Sequence, residues 1–253
     1  MKPKEEKARL AAVILAAGKG TRMNSDMAKV LHPVCGKPMV FFPLAAARAL
    51  GAEKIILVIG HQANQVKSVI GSDRVFYAYQ QEQMGTGHAV LQAREQLHDF
   101  QGTVLILCGD VPLLKPSTLL AFLDEHRRTE ADITVLTAIL PNPAGYGRVV
   151  KDGSGQVLNI AEEKDADEEE KRITEINTGI YCVEKDFLFD ALESITTDNA
   201  QREYYLTDIV AIASEKKLIA RSSLLADYHE AMGINTQTQL EEANRIMGRR
   251  LDI

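Results

Sequence analysis

Five short apolar runs mark the first 140 residues: 11–17 (A-A-V-I-L-A-A), 54–59 (K-I-I-L-V-I), 74–79, 103–108 (T-V-L-I-L-C) and 133–140. They are brief and bounded by glycine, proline or charge, the pattern of buried strands in a parallel sheet. Helical signals fall between them. Gly36-Lys37-Pro38 is a turn that would place Pro38 in the first turn of a helix ending near Gly51, although Pro43 allows a later start. Residues 63–70 read as a short helix, Ala89, Ala93 and Leu97 share a helical face after the break Q-Q-E-Q-M-G-T-G, and Leu119, Leu120 and Leu123 share another. Strands followed by helices in succession predict an α/β, Rossmann-like, doubly wound and mostly parallel sheet with right-handed crossovers. Ligands in such sheets lie beyond the carboxyl ends of the strands, an edge that Gly18, Gly60, Gln80 and Asp110 would share.

From Pro141 the texture changes. Residues 148–151 and 157–161 read as strands joined by D-G-S-G, a hairpin signal, and residues 176–183 as a further strand. This predicts an antiparallel, sugar-binding insertion over about 141–185, set on a nucleotide-binding core over about 8–140. Residues 186–192 and 204–214 read as helices and 218–222 as a strand completing the core. Leu240, Ala243 and Met247 mark one face of a C-terminal helix over about 236–250. No repeat or linker divides residues 1–253, so a single nucleotidyltransferase domain is expected.

Charge narrows the partners. A net charge of -6 on 253 residues argues against nucleic acid, whose ligands displace counterions with basic patches. Cys35, Cys108 and Cys182 form no C-x-x-C, so neither a disulfide framework nor a zinc site is indicated, consistent with a cytoplasmic location. The basic start up to Arg9 imitates a signal peptide, but Glu5 and Glu6 interrupt it, and no run reaches membrane-spanning length.

The first strand runs into L-A-A-G-K-G-T-R-M-N-S-D-M-A-K, residues 15–29. Gly18-Lys19-Gly20-Thr21 lacks the spacing of a Walker A loop, and Met23 stands where a dinucleotide fingerprint needs its third glycine. A glycine loop after a strand with Arg22 and Lys29 close behind can still cradle phosphate. Asp110, at the end of the fourth run, reads equally as a cap or a metal ligand, and Glu162 alone reads as solvated surface.

The string L-A-A-G-K-G-T-R with Lys29-Val30-Leu31 resembles the signature of sugar-1-phosphate nucleotidyltransferases. Six further strings narrow the likeness: Q-Q-E-Q-M-G-T-G-H-A, C-G-D-V-P-L, G-Y-G-R, E-I-N-T-G-I, N-A-Q-R-E-Y-Y-L-T-D and G-I-N. In that order they resemble the uridylyltransferase domain of the bacterial N-acetylglucosamine-1-phosphate uridylyltransferases, over residues 11–245. The resemblance implies that Leu15, Ala16, Ala17, Gly18 and Lys29 contact the nucleotide and that Gln80, Gly85 and Thr86 read uracil. It gives Arg22, Lys29 and Asp110 the catalytic roles, and Asp110 and Asn235 the magnesium ion. Gly109, Gly147, Glu162, Asn177 and Asn235 would hold the amino sugar and its phosphate. The chain departs from the family at Ala28, where proline is usual, at Cys108 for tyrosine, at Arg202 for glycine, and at Thr236-Gln237 for Asn-Arg or Asp-Arg.

The implied reaction joins UTP to N-acetylglucosamine 1-phosphate, giving pyrophosphate and UDP-N-acetylglucosamine, a precursor of peptidoglycan and lipopolysaccharide. The phosphate nucleophile is already ionised, so no Ser-His-acid arrangement is needed. A different base or sugar preference, or a non-catalytic nucleotide-sugar binding module, are the alternatives. Family members commonly continue into a hexapeptide-repeat acetyltransferase domain that also holds a trimer. No such repeats occur here, so a monomer performing uridylyl transfer alone is expected. His88 is expected to pack or cap, and residues 163–170 to form an exposed acidic loop.

Overall fold

The computed structural model describes residues 9–71 and 74–252; the basic N-terminal segment weighed above as a leader lies almost wholly outside them. In chain order the strands are β1 (Leu10–Ala16), β2 (Pro33–Val34), β3 (Lys37–Pro38), β4 (Lys54–Ile59), β5 (Phe76–Tyr79), β6 (Thr103–Cys108), β7 (Ile133–Ile139), β8 (Arg148–Lys151), β9 (Val157–Ala161), β10 (Glu175–Glu184) and β11 (Ala220–Leu224). The helices are α1 (Phe41–Ala49), α2 (Ala63–Ile70), α3 (Thr86–Leu91), α4 (Pro116–Arg128), α5 (Lys185–Leu192), α6 (Asp208–Glu215) and α7 (Gln237–Leu251).

The central sheet runs β11-β7-β10-β6-β1-β4-β5. Its strands are parallel except β10, which is antiparallel to both β6 and β7. The apolar runs are continuous because both faces are covered. Ala11, Val13, Ile56 and Ile106 point to the layer holding α3, α5 and α6, while Ala12, Ile14, Leu57 and Leu107 point to α1, α2 and α4. Chain order reverses at β1, with β4 on one side and β6 on the other, which makes the carboxyl edge there a switch point open to ligand.

Several expectations are corrected. The strand read at 176–183, assigned to the insertion, lies in the middle of the sheet and is paired to β6 and β7; only β8 and β9 stand off the main path. Pro38 belongs to the two-residue β3, and the helix starts at Phe41 with Pro43 in its first turn. Leu120 is 51% exposed, and Phe122 completes the buried face of α4. The helix read at 204–214 begins only at Asp208, because Tyr204 and Leu206 bond to the 84–87 loop instead. Tertiary pairing outweighs local propensity at such positions.

A third apolar cluster packs Leu240, Ala243 and Met247 of α7 on Met23, Val34, Met39, Leu113 and Ile234. Helix α7 opens with a capping box in which the Thr236 side chain and Gln239 satisfy one another's backbone donors. This docking fixes Met23 and Ile234, and so sets their neighbours Arg22 and Asn235 at the edge of β1 and β6.

Candidate active site

At the end of β1, Gly20 has a φ of +61°, and a Cβ there would lie 2.5 Å from the Lys29 Cβ. Only glycine allows this approach, which folds Lys29 back over the loop. The Lys29 ammonium donates to Asp110 Oδ2 and, at 2.6 Å, to Asn235 Oδ1. The latter oxygen also accepts from Arg22 Nη2 at 2.9 Å. Asp110 is brought here by the β6 turn, where Gly109 N donates to Leu15 O at 2.8 Å and Asp110 O accepts from Ile234 N at 3.0 Å. Two loops and the start of α7 thus gather the four groups at one point, and two oxygens hold a single cation between them.

A cleft of about 320 Å³ opens beside them, lined by Leu15, Ala16, Ala17, Gly18, Lys29, Gln80, Gly85, Thr86 and Asp110, all singled out in the sequence. Gln83, Cys108 and Glu203 line it too, residues inside the quoted motifs to which no ligand role was given. Gln80 is 3% exposed, and its Nε2 donates to Gly85 O at 2.9 Å. Its second neighbour is His88 Nδ1, at 3.2 Å. The Gly85–Thr86 turn is stitched to residues 204–206: Tyr204 N donates to Met84 O, Gly87 N to Tyr204 O, and Leu206 N to Thr86 Oγ1.

The remaining residues meet on the far side of β6. β10 runs against its neighbours, so its first residues lie at their carboxyl edge. Asn177 sits there, its Oδ1 accepting from Gly179 N at 2.9 Å, next to a register shift between Asn177 and Ile180. A Cβ on Gly147 would come within 3.6 Å of both Glu162 Oε2 and the Asn177 Cβ, so these three adjoin. Glu162 accepts from Thr207 Oγ1 at 3.0 Å, and burial raises its carboxyl pKa. Gly109 instead backs onto β1, where a Cβ would lie 2.9 Å from Leu15 O.

The acidic stretch after Glu162 is mostly exposed, as expected, but it is tied to the fold. Glu163 pairs with the buried Arg148 at 2.7 Å, Asp165 accepts from Ala200 N and the Tyr205 hydroxyl, and Ala166 is buried. Asp208, facing this acid-rich wall, has a pKa raised from the usual 3.8 to about 6, first by burial and then by Asp165. A raised carboxyl pKa means that the folded chain holds the proton more tightly than the unfolded one. The resulting stability is full below pH 3.8 and is lost as pH rises through about 6. Asp208→Asn is therefore expected to raise the melting temperature at pH 8 and to leave it nearly unchanged at pH 3.5. Melts at the two pH values check this, and a pH-independent difference would contradict it.

The departures also find places. Ala28 N donates to Gln65 Oε1 at 2.8 Å, which proline could not do. Arg202 has a φ of +56°, a conformation that favours glycine. Gln237 Nε2 donates to Met23 O at 3.0 Å, bracing the turn that bears Arg22. The Cys108 thiol, its pKa pushed up to about 12 by burial, contacts Gly179 O at 3.5 Å.

The nucleotidyl transferase family model matches residues 11–247. The chain belongs to this family. Among curated relatives of this nucleotidyl transferase, the bifunctional protein GlmU of Syntrophotalea carbinolica is 54% identical over 96% of the chain and 52% of the relative. The bifunctional protein GlmU of Geobacter metallireducens is 52% identical over 96% and 51%, and that of a Geobacillus species 50% identical over 95% and 52%. The chain thus spans about half the length of the curated relatives it matches. Among the described residues, no helix is long and apolar enough to cross a membrane, and no group of three or more His, Cys, Asp or Glu could by itself hold a metal ion.

Proposed function

We propose that this nucleotidyl transferase moves uridylyl from UTP to N-acetylglucosamine 1-phosphate, releasing pyrophosphate. The observation carrying this reading is the single cleft that runs from Gln80, Gly85 and Thr86 to Lys29 and Asp110 at the β1–β6 switch point. One end offers amide and main-chain groups suited to a base edge; the other offers cations suited to a triphosphate. The identity with bifunctional GlmU relatives and the seven ordered motifs support the same choice.

In this reading, main-chain NH groups of residues 16–20, with Arg22 and Lys29, hold the phosphates and neutralise the charge that builds on departing pyrophosphate. Gly147, Glu162 and Asn177 position the amino sugar so that its phosphate oxygen approaches the α-phosphorus opposite the leaving group. That oxygen is ionised at neutral pH, so these residues align it and need not deprotonate it.

A magnesium ion fits the residues present. Asp110 Oδ2 and Asn235 Oδ1 are hard oxygens that converge on one cationic atom, and a Cβ at Gly233 would lie 3.9 Å from the first and 3.6 Å from the Asn235 amide nitrogen. When bound, the ion supplies Lewis-acid polarisation of phosphate oxygens. Lys29, held by the same two oxygens in this structure, would be the residue whose ammonium serves the phosphates.

The test is a matrix of nucleoside triphosphates against sugar 1-phosphates with pyrophosphate release as the readout. UTP with N-acetylglucosamine 1-phosphate is expected to react fastest. Faster turnover with glucose 1-phosphate, or with another base, would overturn the assignment.

A further inference from the structure

We propose that His88 is a positioning residue that sets which face of the Gln80 carboxamide meets the base, and thereby helps the site select uracil over cytosine. The inference rests on the uridylyl-transfer reading above.

The amide atom 2.9 Å from Gly85 O must be the nitrogen, because a carbonyl oxygen there would face another acceptor. The same nitrogen lies 3.2 Å from His88 Nδ1. An amide NH2 cannot accept a hydrogen bond, so Nδ1 is the acceptor and the ring proton sits on Nε2. Both amide hydrogens are then committed inside the protein, and the carbonyl oxygen is what Gln80 has left for the cleft that it lines. Uracil presents an N3–H donor to such an oxygen, whereas cytosine presents a bare N3 acceptor.

Gly85 and His88 lie on one turn, at the start of α3, and Tyr204 main-chain groups clamp that turn from outside. The two partners of the amide therefore move together. Gly85 O alone can still orient Gln80, but without His88 one buried amide hydrogen has no acceptor. The flipped amide, which offers NH2 to cytosine N3, then costs less by comparison. The expected consequence is a loss of discrimination of about tenfold, the scale of one unpaired buried donor.

The experiment measures kcat/KM for UTP and for CTP with N-acetylglucosamine 1-phosphate, in wild type, His88→Leu and His88→Asn. The asparagine Oδ1 can take the place of Nδ1 as acceptor. His88→Leu is expected to lower the UTP:CTP ratio about tenfold, mainly through KM for UTP, and His88→Asn to restore most of it. An unchanged ratio in His88→Leu, or equal losses on both nucleotides in both variants, would overturn the proposal. If His88→Leu does not fold, the nitrogen-15 shift of His88 in the wild-type chain decides. A pyridine-type Nδ1 supports the arrangement, and a pyrrole-type Nδ1 refutes it. A wild type that prefers another base sinks the uridylyl reading, while the ring-nitrogen shift still decides the His88 geometry.

Discussion

Asp110→Asn is expected to lower kcat/KM by about a thousandfold or more while shifting the melting temperature by only a few degrees. The substitution leaves much of the local structure intact. The backbone bond from Ile234 N to Asp110 O survives, and an asparagine oxygen can still accept from the Lys29 ammonium. What is lost is one negative charge at the point where Lys29, Arg22 and Asn235 converge. Without it, a divalent cation would meet two cationic side chains and only neutral protein oxygens, and its occupancy would fall. The measurement is turnover against magnesium concentration, with a thermal melt as control. A variant with near wild-type turnover at ordinary magnesium concentrations would refute the metal assignment, and one that fails to fold would show that the carboxylate is structural.

The sequence made the sheet legible because burial on both faces writes itself as uninterrupted apolar runs. The runs 54–59 and 103–108 correspond residue for residue to β4 and β6. The place of β10 was not legible, since a strand's direction and neighbours depend on the course of the chain between strands, which local patterning does not record. Its reversed course is also what delivers Asn177 to the carboxyl edge. Residues 204–207 carry an apolar pattern that suits a helix, but Tyr204 N, Tyr204 O and Leu206 N bond to residues 84–87, and only the carbonyls of 205–207 turn toward the helix that follows.

The candidate site shows the same division. The glycine loop and its cations were legible as a phosphate cradle from residue type alone. Glu162 and Asn235 carried no such signal, and they were picked out only through ordered resemblance to a family. The contact of His88 with Gln80 had a faint signal, a spacing of eight residues across a glycine-rich turn. That spacing means nothing until the turn is known to double back.

Gly85→Ala is expected to destabilise the fold by about 3 kcal/mol or more, a fall in melting temperature of roughly 6–12 °C, and to raise KM for UTP steeply. Gly85 has a φ of +107°, and an added Cβ would lie 2.5 Å from Tyr204 O and 2.8 Å from Tyr204 N. Both neighbours are main-chain atoms of a segment fixed by Leu206 N on Thr86 and by Gly87 N on Tyr204, so neither can move without breaking the clamp. The turn would shift, and Gln80 would lose the carbonyl that orients its amide. Gly18→Ala supplies the contrast. A Cβ on Gly18 meets nothing within 4 Å and its φ is not positive, yet the residue lines the cleft. Melting should therefore hardly change, while the new methyl group intrudes on the space assigned to the triphosphate and KM for UTP rises. Differential scanning calorimetry with steady-state kinetics on the two variants separates strain from occlusion. An undisturbed Gly85→Ala melt would contradict the strained-turn argument, and a Gly18→Ala enzyme with unchanged KM would place the nucleotide away from this loop.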